Sequence, residues 1–232
     1  MKLKAYNMTN TLSEKYRPKK TSEIRGQDAA ISKIRAFLFA FERGLSNKKA
    51  ILLHGPPGTG KTTLAYAAAK DRGYELFELN ASDLRNRQKL NEVLKPSTLQ
   101  RSLFAAGKVI LVDEVDGVTA TDYGGIAELI ALTEKTKHPI IITANDIWQQ
   151  KFSLLRQKCE MVKLAEIPYY DILGLLKEIV RAENKVVEEI LLNGIAAKSK
   201  GDLRAAINDL QSVINSEEGE VSGDDLGERE KA

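Results

Sequence analysis

The residues Gly55-Pro56-Pro57-Gly58-Thr59-Gly60-Lys61-Thr62 place glycines, a lysine and a hydroxyl in the spacing GxxxxGK[ST]. Glycines allow the backbone to turn so that successive N–H groups point inward, where they can bind phosphate oxygens. A lysine at the end of such a loop adds a full positive charge at the β/γ phosphates. The Thr62 hydroxyl is a hard oxygen ligand suited to Mg2+. Thr63 follows at the same turn and is counted with the phosphate-binding residues. The apolar AILLH before the loop predicts a strand, and TTLAYAAAK after it predicts a helix whose positive end faces the same anion. This combination points to a nucleoside triphosphate with Mg2+.

A second constellation is Val109-Ile110-Leu111-Val112-Asp113-Glu114, an apolar strand that delivers two carboxylates at its C-terminal end. Ligands of open α/β sheets sit at such ends. Asp113 can hold Mg2+ through water, and Glu114 can act as general base on an attacking water. In Thr143-Ala144-Asn145, the amide of Asn145 ends a strand expected beside the acidic one. It can orient that water, although asparagine also ends strands simply as a turn residue. In Gly201-Asp202-Leu203-Arg204, Arg204 lies in the first turn of a helix, next to the packing residue Leu203. Its anionic partner is either a γ-phosphate or an exposed salt bridge.

These groups need a scaffold, and the sequence supplies short apolar runs alternating with amphipathic stretches, the mark of an α/β fold. Strands are expected at Ala50–His54, Glu75–Leu79, Val109–Asp113, Ile140–Thr143 and Met161–Leu164, which makes a five-stranded parallel sheet flanked by helices. Helical faces are marked by Ile31, Ile34, Leu38 and Phe41, by residues 61 to about 70, and by Ile126, Leu129, Ile130 and Thr133. Another helix is expected from the Ser97/Gln100 capping box after Pro96. Beyond Leu164 the strands stop, and Pro168 opens a three-helix region. Its faces are Ile172, Leu176, Ile179 and Val180; Val187, Ile190, Leu191 and Ile195; and Leu203, Ile207, Leu210 and Ile214, with Asp202 capping the last. The expected organisation is a P-loop ATPase domain at 1–166 with a basic N-terminal segment, a helical lid at 167–215, and an acidic linker or disordered tail at 216–232.

The chain has 232 residues and a net charge of +3. Residues 1–49 carry twelve Lys/Arg against four Asp/Glu, and residues 216–232 carry seven acids against two bases. The basic end can face phosphates or form a solvated surface. One cysteine, Cys159, excludes an internal disulfide; with only His54 and His138 beside it, a structural zinc site is not expected. Cys159 is expected to be a buried apolar residue, and Trp148 a packing aromatic. The first residues lack a secretory apolar core, and no stretch is long enough for a membrane span, so a cytoplasmic protein is expected.

The order of P-loop, Asp-Glu strand end, Asn145 and Arg204 in a helical lid resembles the AAA+ ATPases. Glu14-Lys15-Tyr16-Arg17-Pro18-Lys19 with Gly26-Gln27, and Leu79-Asn80-Ala81-Ser82-Asp83, narrow the resemblance to replication factor C, the sliding-clamp loader. Asp113-Glu114-Val115-Asp116-Gly117 and the stretch Gly201–Gln211 resemble its archaeal large-subunit branch. The resemblance spans about residues 12–215. It implies that Tyr16, Arg17 and Pro18 lie on the adenine side of the nucleotide, that Asn145 and Arg204 act as sensors, and that ATP opens a clamp for loading on primer–template DNA. The implied partners are small subunits, one large with four small, together with the sliding clamp and DNA. Arg85, Arg87 and Lys89 are candidates for DNA phosphate contact or for a solvated helix face. Leu99, Leu103 and Phe104 are candidates for the clamp-facing side or for core.

Three departures from the family carry information. Gln157-Lys158-Cys159 stands where small subunits have Ser-Arg-Cys, so Lys158 replaces the arginine finger, and lysine lacks the two-pronged guanidinium. The chain is therefore expected to receive a finger and not to donate one. Ser13 replaces a tryptophan of the N-terminal box. The family's collar domain is not in this sequence, and the acidic end is expected to begin the linker to it. A nucleotide-binding scaffold with little hydrolysis, or another DNA-associated AAA+ ATPase, are the alternatives.

Overall fold

The computed structural model describes residues 11–80, 107–117 and 123–216. They cluster into two compact units, 18–166 and 11–17 with 167–216. Elements are numbered over the described residues.

The first unit is an α/β layer structure. Its strands are β1 (Ala50–His54), β2 (Tyr74–Asn80), β3 (Gly107–Asp113), β4 (Ile140–Ala144) and β5 (Cys159–Lys163), all parallel, in the order β2-β3-β4-β1-β5. Helices α2 (Asp28–Glu42), α3 (Lys61–Asp71), α4 (Tyr123–Lys135) and α5 (Ser153–Lys158) connect and cover them. Every residue of β1 and β4 is buried, which is why these strands read as unbroken apolar runs. Alternation sorts their side chains between two cores. Ile51, Leu53, Val109, Leu111 and Ile141 pack with Ile34, Leu38 and Leu64 of α2 and α3. Ala50, Leu52, Ile110, Val112, Ile140 and Ile142 pack with Ile126 and Leu129 of α4 and Leu155 of α5.

The sheet follows the expected one closely, except that β3 begins at Gly107 and not Val109, and β5 begins at Cys159 and not Met161. Its register explains the shift: Cys159 pairs with Ala50, so the strand starts level with the start of β1. Cys159 is fully buried, as expected of an apolar residue, and burial pushes its thiol up to about 12.

The second unit contains α6 (Tyr169–Ala182), α7 (Glu189–Lys198) and α8 (Leu203–Asn215), with the short α1 (Leu12–Lys15) packed among them. Pro168 is the N-cap residue of α6, and the Asp202 carboxylate accepts the Ala205 N–H at 2.8 Å to cap α8. Two sequence expectations change here. The segment 11–17, expected with the ATPase domain, belongs to the helical unit. Leu12 is buried against it, the Leu12 N–H donates to Gln211 Oε1 at 3.0 Å, and Lys15 Nζ donates to Glu183 Oε1 at 2.7 Å. Ile190, expected on the packed face of α7, is 79% exposed. The helix buries Leu192, Ile195 and Ala196 instead, and two residues back from Leu192 is about 200° around the axis, on the opposite side.

The Ser97/Gln100 helix, Leu99, Leu103, Phe104, Arg85, Arg87, Lys89 and the tail beyond Ser216 lie outside the described residues. Among the described residues, no helix is long and apolar enough to cross a membrane.

Candidate nucleotide site

The loop between β1 and α3 holds Gly55–Gly60. Gly55 has φ +148, and a Cβ there would stand 2.2 Å from the Leu164 carbonyl oxygen. Gly60, the N-cap residue of α3, has φ +91 in open space. The first glycine is required by close packing on the chain after β5, the second by backbone conformation. Thr59 is buried, and its hydroxyl donates to the Pro56 carbonyl at 2.9 Å. Lys61 is buried, with its ammonium donating to the carbonyls of Gly55 at 2.8 Å and Pro56 at 2.7 Å. The charge therefore sits inside the loop's own curve. Pro57 and Gly58 lie at the outer turn, and Thr62 and Thr63 are half-buried on the first turn of α3. Gln27, 4% exposed, anchors the loop from below. Its Nε2 donates to Ala165 O at 2.7 Å and Thr59 O at 3.4 Å.

Sheet order puts β4 between the P-loop strand and the acidic strand. Thr62 bridges the gap from α3, donating to Asp113 Oδ1 at 3.0 Å. Thr143, at the end of β4, donates to the same Oδ1 and accepts the Glu114 N–H at 3.0 Å. Asp113 is thus shared by two hydroxyls. Glu114 has φ +53, unusual for a residue with a side chain, and its carboxylate is exposed. Its backbone is held on both sides, by Thr143 and by the Gly117 N–H, which donates to Glu114 O at 3.0 Å. Asn145 is exposed at the end of β4, beside the acidic strand as the sequence implied. Its N–H and that of Asp146 donate to Asp116 Oδ2 at 2.9 and 3.2 Å.

Thr143, Asp116 and Gln27 received no role from the sequence. Each was visible inside a quoted motif, but nothing local indicated its distant partner. Trp148 meets His54 edge-on with ring centroids 5.7 Å apart and carries the Arg156 guanidinium 5.5 Å from its own ring centroid. It packs as expected, yet remains 66% exposed. Burial, aided by Lys163 and Lys61, holds His54 below its ordinary pKa.

Other sequence candidates fall in the helical unit. Tyr16 packs there, its hydroxyl donating to Glu183; burial and this carboxylate push its pKa up to about 12. Arg17 pairs with Glu14 at 3.7 Å in the same unit, whereas Pro18 begins the sheet unit. Arg204 is exposed on the first turn of α8 and makes no ion pair among the described residues. Lys158, in the place of the finger, is bound to Glu134 of α4 at 2.8 Å.

A phosphate-binding loop ahead of a helix, and an Asp-Glu pair at the end of a strand one place removed in the sheet, define a P-loop ATPase module. In agreement, residues 51–166 match the model of the ATPase family associated with various cellular activities (AAA), and the chain belongs to that family. Residues 174–214 match the RCF1/5-like AAA+ ATPase lid domain. Relatives within the family include replication factor C large subunits. That of Staphylothermus marinus is 44% identical over 200 residues, covering 86% of this chain and 47% of the relative. That of Thermofilum pendens is 44% identical over 203 residues, covering 87% and 49%. That of Sulfolobus acidocaldarius is 41% identical over 201 residues, covering 86% and 46%. The chain spans about half the length of these curated relatives. The Thermotoga maritima RuvB Holliday junction branch migration motor shares the fold at TM-score 0.61 and 24% identity, over 85% of this chain and 65% of that one.

Proposed function

We propose that this chain binds ATP with Mg2+ and hydrolyses it as the large subunit of a DNA sliding-clamp loader, which opens the clamp and loads it onto primer–template DNA. The observation that carries the reading is the convergence of Thr62 and Thr143 on Asp113 at the mouth of the phosphate-binding loop. The residues fit a metal nucleotide. Thr62 Oγ1 and the Asp113 carboxylate are hard oxygens 3.0 Å apart, a donor set suited to Mg2+. When bound, Mg2+ supplies charge neutralisation on the phosphate oxygens.

The chain's own groups divide the remaining work. Backbone N–H groups of Gly58–Thr62 and the start of α3 hold phosphate oxygens, and Lys61 supplies the ammonium. Glu114, exposed on a fixed backbone, takes the proton of the attacking water. Asn145 orients that water, and Arg204 of the lid meets the γ-phosphate. The pairing of Lys158 with Glu134 supports a subunit that receives an arginine finger and does not give one. Small subunits, the clamp and DNA are the partners. Arg85, Arg87 and Lys89 meet DNA phosphates without reading sequence. The protein works in the cytoplasm, at the nucleoid.

The test has two stages. ATP affinity of the chain is measured with Mg2+ and with EDTA, for the wild type, Lys61→Ala and Asp113→Ala. Affinity that requires Mg2+ and is lost in both variants is expected, and Mg2+-independent or absent binding overturns the reading. Phosphate release is then measured with small subunits, clamp and primed DNA, using Glu114→Gln as control. Partner stimulation that Glu114→Gln abolishes supports hydrolysis by this subunit. Binding without stimulated release favours a nucleotide-holding scaffold.

A further inference from the structure

The short 3-10 turn Val115–Gly117 follows Glu114 and returns a third carboxylate, Asp116, to the end of β4. Its Oδ2 accepts the N–H groups of both Asn145 and Asp146. Two backbone donors on one carboxylate oxygen make a charge-assisted tie between segments 29 and 30 residues apart in sequence. Its Oδ1 is buried without a hydrogen-bond partner in the structure. A buried carboxylate oxygen without a donor costs free energy, although the rest of the Asp116 side chain is only half-buried. A turn that only needed to cover the strand end would be served by a smaller or apolar side chain.

A second tie lies beside the first. The Glu114 N–H is held by Thr143 Oγ1, while the Gly117 N–H holds Glu114 O. The ends of β3 and β4 are thereby stapled twice, once at Glu114 and once at Asn145. The two exposed side chains that carry the proposed chemistry, Glu114 and Asn145, each belong to a residue held by one of these ties. Glu114 has its left-handed backbone, at φ +53, within the double staple.

We propose that Asp116 is a positioning residue for hydrolysis, locking the Asn145 backbone to the strand end that bears Asp113 and Glu114. This role rests on the hydrolytic reading above. Asp116 does not touch the nucleotide in this scheme. It keeps the spacing between the group that activates water and the group that orients it, so its loss lowers the rate of the chemical step and spares ground-state affinity.

The test uses the chain assembled with its small subunits, as wild type, Asp116→Ala and Asp116→Asn. Amide hydrogen exchange at Asn145 and Asp146 is read first. Asp116→Ala removes the acceptor of both amides and is expected to speed their exchange at least about tenfold. Asp116→Asn keeps one acceptor oxygen and is expected to restore most of the protection. ATP dissociation constants and single-turnover hydrolysis are read next. Asp116→Ala is expected to hydrolyse about tenfold or more slowly with affinity within about twofold of wild type, and Asp116→Asn to fall between them.

Unchanged exchange in Asp116→Ala overturns the lock. Unchanged hydrolysis, or hydrolysis and affinity falling together, overturns the positioning role. If Asp116→Ala does not fold, Asp116→Asn carries the test, with slower hydrolysis at unchanged affinity expected and wild-type behaviour in both readouts refuting. A wild type that binds ATP but never hydrolyses it sinks the hydrolytic reading and the positioning role with it, while the exchange data still decide whether the lock exists.

Discussion

Replacing Gly55 with alanine tests whether the phosphate loop is shaped by packing against the end of β5 as well as by its own conformation. The added Cβ would lie 2.2 Å from the Leu164 carbonyl oxygen and 3.1 Å from its carbon, where ordinary contact begins at 3.4 Å. The β1 and β5 ends must separate by about 1 Å, which is an overpacking cost of about 1–3 kcal/mol. Parting them stretches the bond from the Leu164 N–H to His54 O, now 2.7 Å, at a cost of about 1 kcal/mol. The positive φ of Gly55 adds about 1–2 kcal/mol for a residue with a Cβ. The total is about 3–6 kcal/mol, a large share of the 5–15 kcal/mol typical of a domain.

Gly60→Ala is the internal control. Its Cβ meets nothing within 4 Å, so only the conformational cost of φ +91 remains, about 1–2 kcal/mol. Urea unfolding followed by Trp148 fluorescence reports on the sheet unit, where the chain's only tryptophan lies. Gly55→Ala is expected to lose at least about 2 kcal/mol more than Gly60→Ala. Equal losses, or a Gly55→Ala cost below about 1 kcal/mol, would refute the packing explanation.

Three further outcomes follow from local geometry. Asp202→Ala removes the acceptor of the Ala205 N–H and is expected to cost about 1 kcal/mol, read as a lower melting temperature in far-UV circular dichroism. Asp202→Asn or Asp202→Ser should recover most of it. Cys159, with its thiol pushed up to about 12 by burial, should ignore a disulfide reagent at pH 8 in the folded chain and react fully in guanidinium; rapid native reaction would contradict its burial.

The histidines set an acid-side slope. Burial, then Lys163 and Lys61, depress His54, and burial, then Lys108, depress His138. The unfolded chain therefore takes up protons first on acidification. The stability tied to the neutral rings is complete above about pH 6.5 and is lost as the pH falls below it, toward the depressed folded values. Urea midpoints measured from pH 7.5 to 5.5 should fall in the wild type and fall less in a His54→Asn, His138→Asn double variant. A double variant with the same slope would refute the assignment.

By itself, the amino-acid sequence determined whatever depends on neighbours along the chain. Glycine spacing beside Lys61 shapes a phosphate loop wherever a strand precedes it and a helix follows. Unbroken apolar runs at β1, β3 and β4 already say that both sheet faces are covered, and Asp202 one step before Leu203 announces a capped helix. The tertiary structure decided which of these pieces meet. The order β2-β3-β4-β1-β5 places β4 between the loop strand and the acidic strand, so that Thr143 reaches Asp113 and Asp116 reaches Asn145. Strand order follows from how two helical layers close over both faces, and neither propensity nor periodicity records that. The segment 11–17 illustrates the same limit, since four helical residues have no preference strong enough to choose a home. Leu12 finds its burial, and its backbone N–H its acceptor, 199 residues away on α8.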